Sequence, residues 1–133
     1  MTKNKIFLGG TTDSNWREWL IPRLNIEYFN PIVENWTSEC QKEEILQKEE
    51  CNVHLYVITP RINGVYSIAE AVESAIRKDK VCIFCILSED DGKLFSDEMI
   101  YSLLAVRNLI LKYGGKTCTT LLGVLEELSK IKL

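Results

Sequence analysis

Glycine and proline are scarce: the chain has seven of the first and three of the second. That scarcity excludes collagen-like and low-complexity disordered sequences. Long hydrophobic runs are missing too. The longest, residues 81–87, covers seven positions, against the roughly 20 that a helix needs to cross a bilayer. Histidine occurs once, as His54, so there is no histidine cluster and no Cys/His spacing that suits zinc. Neither sign of charge dominates. Sixteen basic residues face 19 acidic ones, for a net charge of −3, and no long basic run invites a nucleic-acid polymer. The start, Met-Thr-Lys-Asn-Lys, lacks the apolar stretch of a secretory signal.

A disulfide framework is also lacking. The five cysteines, Cys40, Cys51, Cys82, Cys85 and Cys118, are odd in number and irregular in spacing. Cys82 and Cys85 form a C-x-x-C pair, but they lie in Val-Cys-Ile-Phe-Cys-Ile-Leu, which reads as a buried strand. Residues three apart on a strand point to opposite faces. Both are therefore expected to be reduced and to act as small apolar residues rather than as metal ligands. A reducing compartment, the cytoplasm, is the expected location.

What the chain does have is an ordinary globular composition, 46% hydrophobic and 26% charged over 133 residues. That size is expected to form one domain, residues 1–133, with a core that needs no staples. Strand-like and helix-like segments alternate. Strands are expected at 5–8, 26–29, 53–59, 81–87 and 117–120. Helices are expected at 15–24, 39–50, 67–78, 96–113 and 121–131. Pro22 weakens the second half of the first helix, and Ser38 with Gln41 fits a capping box for the second. Residues 30–36 and 88–95 read as loops. The alternation predicts an α/β domain of three layers. Its sheet is doubly wound, parallel and five-stranded, in the flavodoxin-like order 2-1-3-4-5.

In such sheets ligands bind beyond the carboxyl ends of the strands, at the topological switch point. That rule selects the loops holding Gly9, Gly10, Asp13, Asn30, Trp36, Asn63, Gly64, Tyr66 and Ser67, with Glu70 one turn into the next helix. Gly9-Gly10 allows close approach of a ligand to backbone, or serves simply as a strand-to-helix turn. Glu70 has two readings. Ser67-x-x-Glu70 is itself a capping box. Alternatively the carboxylate points into the crevice as a nucleophile or base. Glu73 and Arg77 are spaced as an ordinary helix-surface ion pair. His54 falls within a central strand, where a buried, hydrogen-bonded imidazole is expected rather than a catalytic one. Trp36 sits in a polar loop at the ligand end and could stack on a flat base.

Four segments resemble the nucleoside 2-deoxyribosyltransferase-like family, chiefly its phage and bacterial subgroup: Lys-Ile-Phe-Leu-Gly-Gly at 5–10, Tyr-Phe-Asn-Pro at 28–31, Glu-Glu-Ile-Leu-Gln-Lys-Glu-Glu-Cys-Asn at 43–52, and Val-Ile-Thr-Pro-x-x-x-Gly-Val-Tyr-Ser-Ile-Ala-Glu-Ala at 57–71. The resemblance implies a glutamate nucleophile at Glu70, which would attack the anomeric carbon of a deoxynucleoside and form a deoxyribosyl-enzyme. It implies an acid/base partner at Glu44, where the family commonly has Asp. It implies no metal and no organic cofactor, and it implies a homo-oligomer. Three positions depart from the family's pattern: Gly64 stands where a sugar-binding Asp is usual, Phe7 where a tyrosine is usual, and Asn52 where an Asp is frequent. Related hydrolases of deoxynucleoside monophosphates use a serine for phosphate, a role open to Ser67.

The expected function is therefore chemistry at the N-glycosidic bond of a nucleoside or nucleotide, by base transfer or by hydrolysis. The competing expectation is a non-catalytic binder of a nucleotide or ADP-ribose-type signal. Neither a membrane nor a nucleic-acid polymer is an expected partner. The expected oligomer rests also on residues 96–113, whose apolar residues cover more than the single stripe a sheet-packed helix needs.

Overall fold

The computed structural model describes residues 4–131; the first three residues of the amino-terminal segment read above lie outside it. The chain runs β1 (Lys5–Gly10), α1 (Trp16–Leu20), β2 (Glu27–Phe29), α2 (Ser38–Glu50), β3 (Val53–Ile58), α3 (Tyr66–Ile76), β4 (Val81–Ile86), β5 (Glu89–Asp90), β6 (Lys93–Leu94), α4 (Asp97–Lys112), β7 (Lys116–Cys118) and α5 (Leu121–Ser129). Five strands form a sheet in the order β2-β1-β3-β4-β7, and every pairing within it is parallel. This is the doubly wound α/β order expected from the sequence, with β7 as its fifth strand.

Strand alternation builds two cores. On one face Ile6, Leu8, Val53, Leu55, Val57, Ile83 and Cys85 pack with Trp16 and Leu20 of α1 and Val124 of α5. On the other face Phe7, Tyr56, Ile58, Cys82 and Phe84 pack with Ala71 and Ala75 of α3 and Leu103 and Ile110 of α4. β3 is buried along its whole length, as a central parallel strand covered on both faces must be. Cys82 and Cys85 fall in different cores, as their spacing requires, and all five cysteines are free thiols. Truncating a fully buried residue such as Leu55 to Ala should cost about 2–5 kcal/mol.

Four local expectations need correction. The first helix stops at Leu20, and Ile21–Arg23 is a 3-10 turn, because Pro22 cannot continue the α-helical ladder. The cap of α2 is Thr37, not Ser38: the Thr37 hydroxyl accepts the Cys40 backbone N–H at 3.3 Å. Residues 88–95 are not all loop but hold the antiparallel pair β5–β6. Its turn places Asp91 and Gly92 at φ 52° and 81°, the pattern that favours Asp-Gly in tight hairpins. Arg77 does not pair with Glu73; it binds Glu49 at 2.7 Å and Asp79 at 2.7 Å, partners that lie outside its own helix.

Candidate active site

β1 lies between β2 and β3, so the chain leaves it in one direction and returns on the other side. The crevice at this switch point is a cleft of about 430 Å³, within the usual range for small-molecule sites. The end of β1 and the loop after it contribute Gly9 through Thr12, the segment after β2 contributes Pro31, Ile32, Val33 and Trp36, the loop after β3 contributes Ile62, Asn63 and Gly64, and the start of α3 contributes Tyr66 and Ser67. Phe7, Arg17, Glu44 and Glu70 complete the lining. Beside it a recess of about 270 Å³ is lined by Trp36, Gln41, Glu44, Ile45, Lys48, Tyr66 and Glu70.

Close backbone packing shapes the floor. Gly10 has φ +114°, and a Cβ there would lie 2.1 Å from the Val57 carbonyl oxygen. Only glycine fits this conformation so near a neighbouring strand. The Thr11 N–H then donates to Val57 O at 2.9 Å, and its hydroxyl accepts the Thr59 N–H at 2.9 Å. The loops after β1 and β3 are thereby tied together under the cleft.

Glu70 is buried on α3. The capping-box reading of Ser67 and Glu70 does not describe the geometry. Helix α3 begins at Tyr66 with Val65 as its cap and no side-chain cap bond, so Ser67 lies inside the first turn. Glu70 Oε2 instead accepts from Lys48 Nζ at 2.9 Å. Glu73 stands 3.8 Å from the same ammonium. Burial pulls the Lys48 ammonium down, but the hydrogen bond and charge of Glu70, with Glu73 and Tyr66 behind it, leave it above its ordinary value.

Glu44 is one helical turn before Lys48 on α2 and half-buried against the same cleft. Burial raises its carboxyl above the ordinary range, and the Glu70 charge pushes in the same direction; Lys48 and Arg17 oppose both. A carboxyl that loses water beside a second negative charge shifts in this direction.

Arg17 and Lys48 are the charged members of this site that the sequence did not single out. Arg17 is buried and donates to Leu8 O at 3.2 and 2.9 Å and to Thr11 O at 2.7 Å, while its guanidinium stacks 4.2 Å over the Trp16 ring. Burial lowers it to about 10, with Glu44 opposing, so it stays cationic at neutral pH. It fixes the backbone of the β1 loop and brings positive charge to the cleft. The signal for it was Trp16-Arg17 opening a helix just after the ligand-end loop. The signal for Lys48 was its four-residue spacing from Glu44 on one helix face.

His54 is held as expected of a central-strand imidazole. Its Nε2 lies 2.6 Å from Lys48 O and its Nδ1 2.7 Å from Ser74 Oγ. A carbonyl can only accept, so Nε2 carries the hydrogen and Nδ1 accepts from Ser74. The ring thus joins the last turn of α2 to α3, the two helices that carry Lys48 and Glu70.

Of the candidates named from sequence, Gly9, Gly10, Trp36, Glu44, Asn63, Gly64, Tyr66, Ser67 and Glu70 converge on the cleft. Asp13 and Asn30 do not line it. The Asp13 carboxylate is held by Arg61 at 3.0 Å, and the Asn30 side chain turns back to accept the Ile32 N–H at 3.2 Å. Among the described residues no group of three or more His, Cys, Asp or Glu side chains is placed to hold a metal, and no helix is long and apolar enough to cross a membrane.

A doubly wound α/β domain with charged side chains gathered at its switch-point crevice belongs to the broad class that binds small ligands at the carboxyl ends of parallel strands. Its family is narrower. The sequence model described as nucleoside 2-deoxyribosyltransferase like matches residues 3–88, almost two-thirds of the chain, and the protein belongs to that family. Every residue of the cleft and its side recess lies inside the matched span. A comparison with curated proteins found no match.

Proposed function

We propose that the protein acts on the N-glycosidic bond of a nucleoside or nucleotide, with Glu70 as nucleophile and Glu44 as acid/base. The observation that carries this reading is a buried, ion-paired Glu70 sharing one cleft with a Glu44 whose carboxyl is pushed upward. A Glu70 oxygen attacks C1′ of the sugar. The C1′–N bond breaks with its electron pair going to the base, and Glu44 gives that nitrogen its proton. The product is a glycosyl ester on Glu70 and a neutral base. A second base, or water, then loses a proton to Glu44 and displaces the ester, which restores both groups. The exposed Trp36 ring at the rim offers a stacking face for the base. Gly64, Tyr66 and Ser67 edge the place where the sugar or a phosphate would lie, and Asn63 is beside them. The chemistry needs no metal and no organic cofactor.

The test is a panel of nucleosides and deoxynucleoside monophosphates, with and without an acceptor base, assayed for exchanged or free base. The wild type should give one or the other, and Glu70→Gln should lose at least about 10³-fold in rate while retaining substrate affinity. No product from any member of the panel would refute the proposal. A second reading is a non-catalytic binder of a nucleotide or ADP-ribose-type ligand. Two observations favour it: Gly64 faces open space where the family's enzymes carry a sugar-binding carboxylate, and Phe7 brings no hydroxyl to the cleft. In that case Glu70→Gln would alter affinity with no turnover to lose.

A further inference from the structure

Among the described residues Lys48 is the one cation bonded to the proposed nucleophile, and it comes from the same helix as the proposed acid/base. Its Nζ is 2.9 Å from Glu70 Oε2. Glu44 lies four residues earlier on α2, so the two side chains share a helix face, about 5–6 Å apart at Cβ. All three groups line one recess. The Lys48 backbone is fixed by the bond from His54 Nε2 to its carbonyl, while the four methylenes of its side chain supply the rotatable bonds through which the ammonium could change partners.

We propose that Lys48 is a positioning residue that serves the two glutamates in turn: its ammonium pairs with Glu70 while that carboxylate is free, and swings one helical turn back to Glu44 once Glu70 is esterified. The inference rests on Glu70 being the nucleophile. Charge balance supplies the argument. The proposed first step requires an anionic Glu70, a cationic Lys48 and a protonated Glu44 in the recess. Glu70 attacks C1′ and becomes a neutral ester as the C1′–N bond breaks, and Glu44 loses its proton to the departing base. The recess then holds a neutral Glu70, a cationic Lys48 and an anionic Glu44. The net charge is unchanged, but the anion has moved from α3 to α2. A buried ammonium follows the available anion, since leaving either charge unpaired is costly. While Lys48 stays on Glu70, Glu44 feels less of its charge and holds its proton more firmly; once the ammonium moves across, it stabilises the carboxylate that the first step leaves on Glu44. Arg17 faces Glu44 from α1 and takes part in holding the anion. Glu73 and Tyr66 face Lys48 from α3, and Glu73, which is largely exposed, is the competing destination.

A carboxyl-carbon NMR titration of Glu44 tests this without turnover. Glu70→Gln supplies a neutral side chain in place of the ester, and Lys48→Met removes the ammonium while keeping most of the stem. Four proteins form a double-mutant cycle: wild type, each single variant and the double variant. Lys48→Met should raise the Glu44 midpoint by less than about 0.5 pH unit when Glu70 is present, and by more than about 1 pH unit in Glu70→Gln. Lys48→Arg should behave as wild type in both backgrounds. Equal shifts in the two backgrounds would overturn the proposal, as would a larger shift with Glu70 present. Should Met disturb α2, Lys48→Gln completes the same cycle. Because the readout is a titration, its failure is distinct from failure to find a substrate.

Discussion

Glu44 has an acid's environment, and its titration should be visible in the reaction. Burial, with the Glu70 charge adding to it, holds the carboxyl above its ordinary range, the direction that favours the protonated form needed to release the base. The rate of base release should fall as pH rises through the Glu44 midpoint. Glu44→Gln should remove that limb of the pH profile and slow release by about 10²- to 10⁴-fold. Single-turnover base release over a pH series measures both, and an unchanged profile in the variant would exclude Glu44 as the acid. At this scale the sequence was informative about residue types and less so about partners. Glu70 stood out because the rule for parallel sheets points to its loop, yet the adjacent Ser67 offered a capping box that the backbone does not form. Lys48 looked like one more charge on a solvated helix, because its partner lies 22 residues away in sequence. Asp13 and Asn30 are on ligand-end loops, but Asp13 is held by the distant Arg61 and Asn30 by the nearby Ile32 N–H. Loop membership alone cannot reveal which way a side chain turns.

Among the elements, α2 depends most on what it touches. None of its residues is buried, so little hydrophobic stabilisation holds it. Thr37 caps its start, and His54 anchors its last turn to β3 and α3. His54 is neutral in the fold because burial lowers it to about 4, although the Lys48 carbonyl opposes this. The unfolded imidazole titrates near 6.5. Between these values the unfolded chain binds more protons, so stability from this site is complete above about pH 6.5 and is lost as pH falls toward 4. The loss should reach roughly 3 kcal/mol. Urea denaturation at a series of pH values should show it in the wild type, and His54→Gln should flatten this part of the curve. An equal slope in the variant would assign the effect to other groups. The elements themselves were largely legible, because buried parallel strands are short apolar runs and the helices between them keep a 3.6-residue period. The exceptions have physical causes. Pro22 cut the first helix short, Thr37 proved a nearer cap than Ser38, and the Asp91-Gly92 turn closed a hairpin within a polar stretch.

For the whole molecule, we propose a homo-oligomer, most simply a twofold one. α4 packs Leu103 and Ile110 against the sheet and still exposes Ile100, Tyr101, Leu109 and Leu111. The carboxyl-terminal helix does not cover them, because α5 packs into the core on the opposite face of the sheet. A second copy is the commonest cover for such a surface. Light scattering at micromolar concentration should give at least twice 15.3 kDa, and Leu111→Glu should shift the mass toward the monomer. A wild-type mass near 15.3 kDa would reject the assembly. The order of the sheet was legible in the alternation of strands and helices, whereas the position of α5 relative to α4 was not, since amphipathicity does not say which face of a sheet a helix will choose. A covalent step on Glu70 in the switch-point cleft would leave an adduct that rapid quenching can trap. The protein is mixed with the nucleoside and deoxynucleoside monophosphate panel, quenched in acid on the millisecond scale, and analysed by intact and peptide mass spectrometry. The expected result is a mass gain of one deoxyribosyl residue, or its 5′-phosphate, on the peptide carrying Glu70, absent in Glu70→Gln. Base released by the wild type with no adduct at any quench time, or with the adduct on another residue, would contradict it.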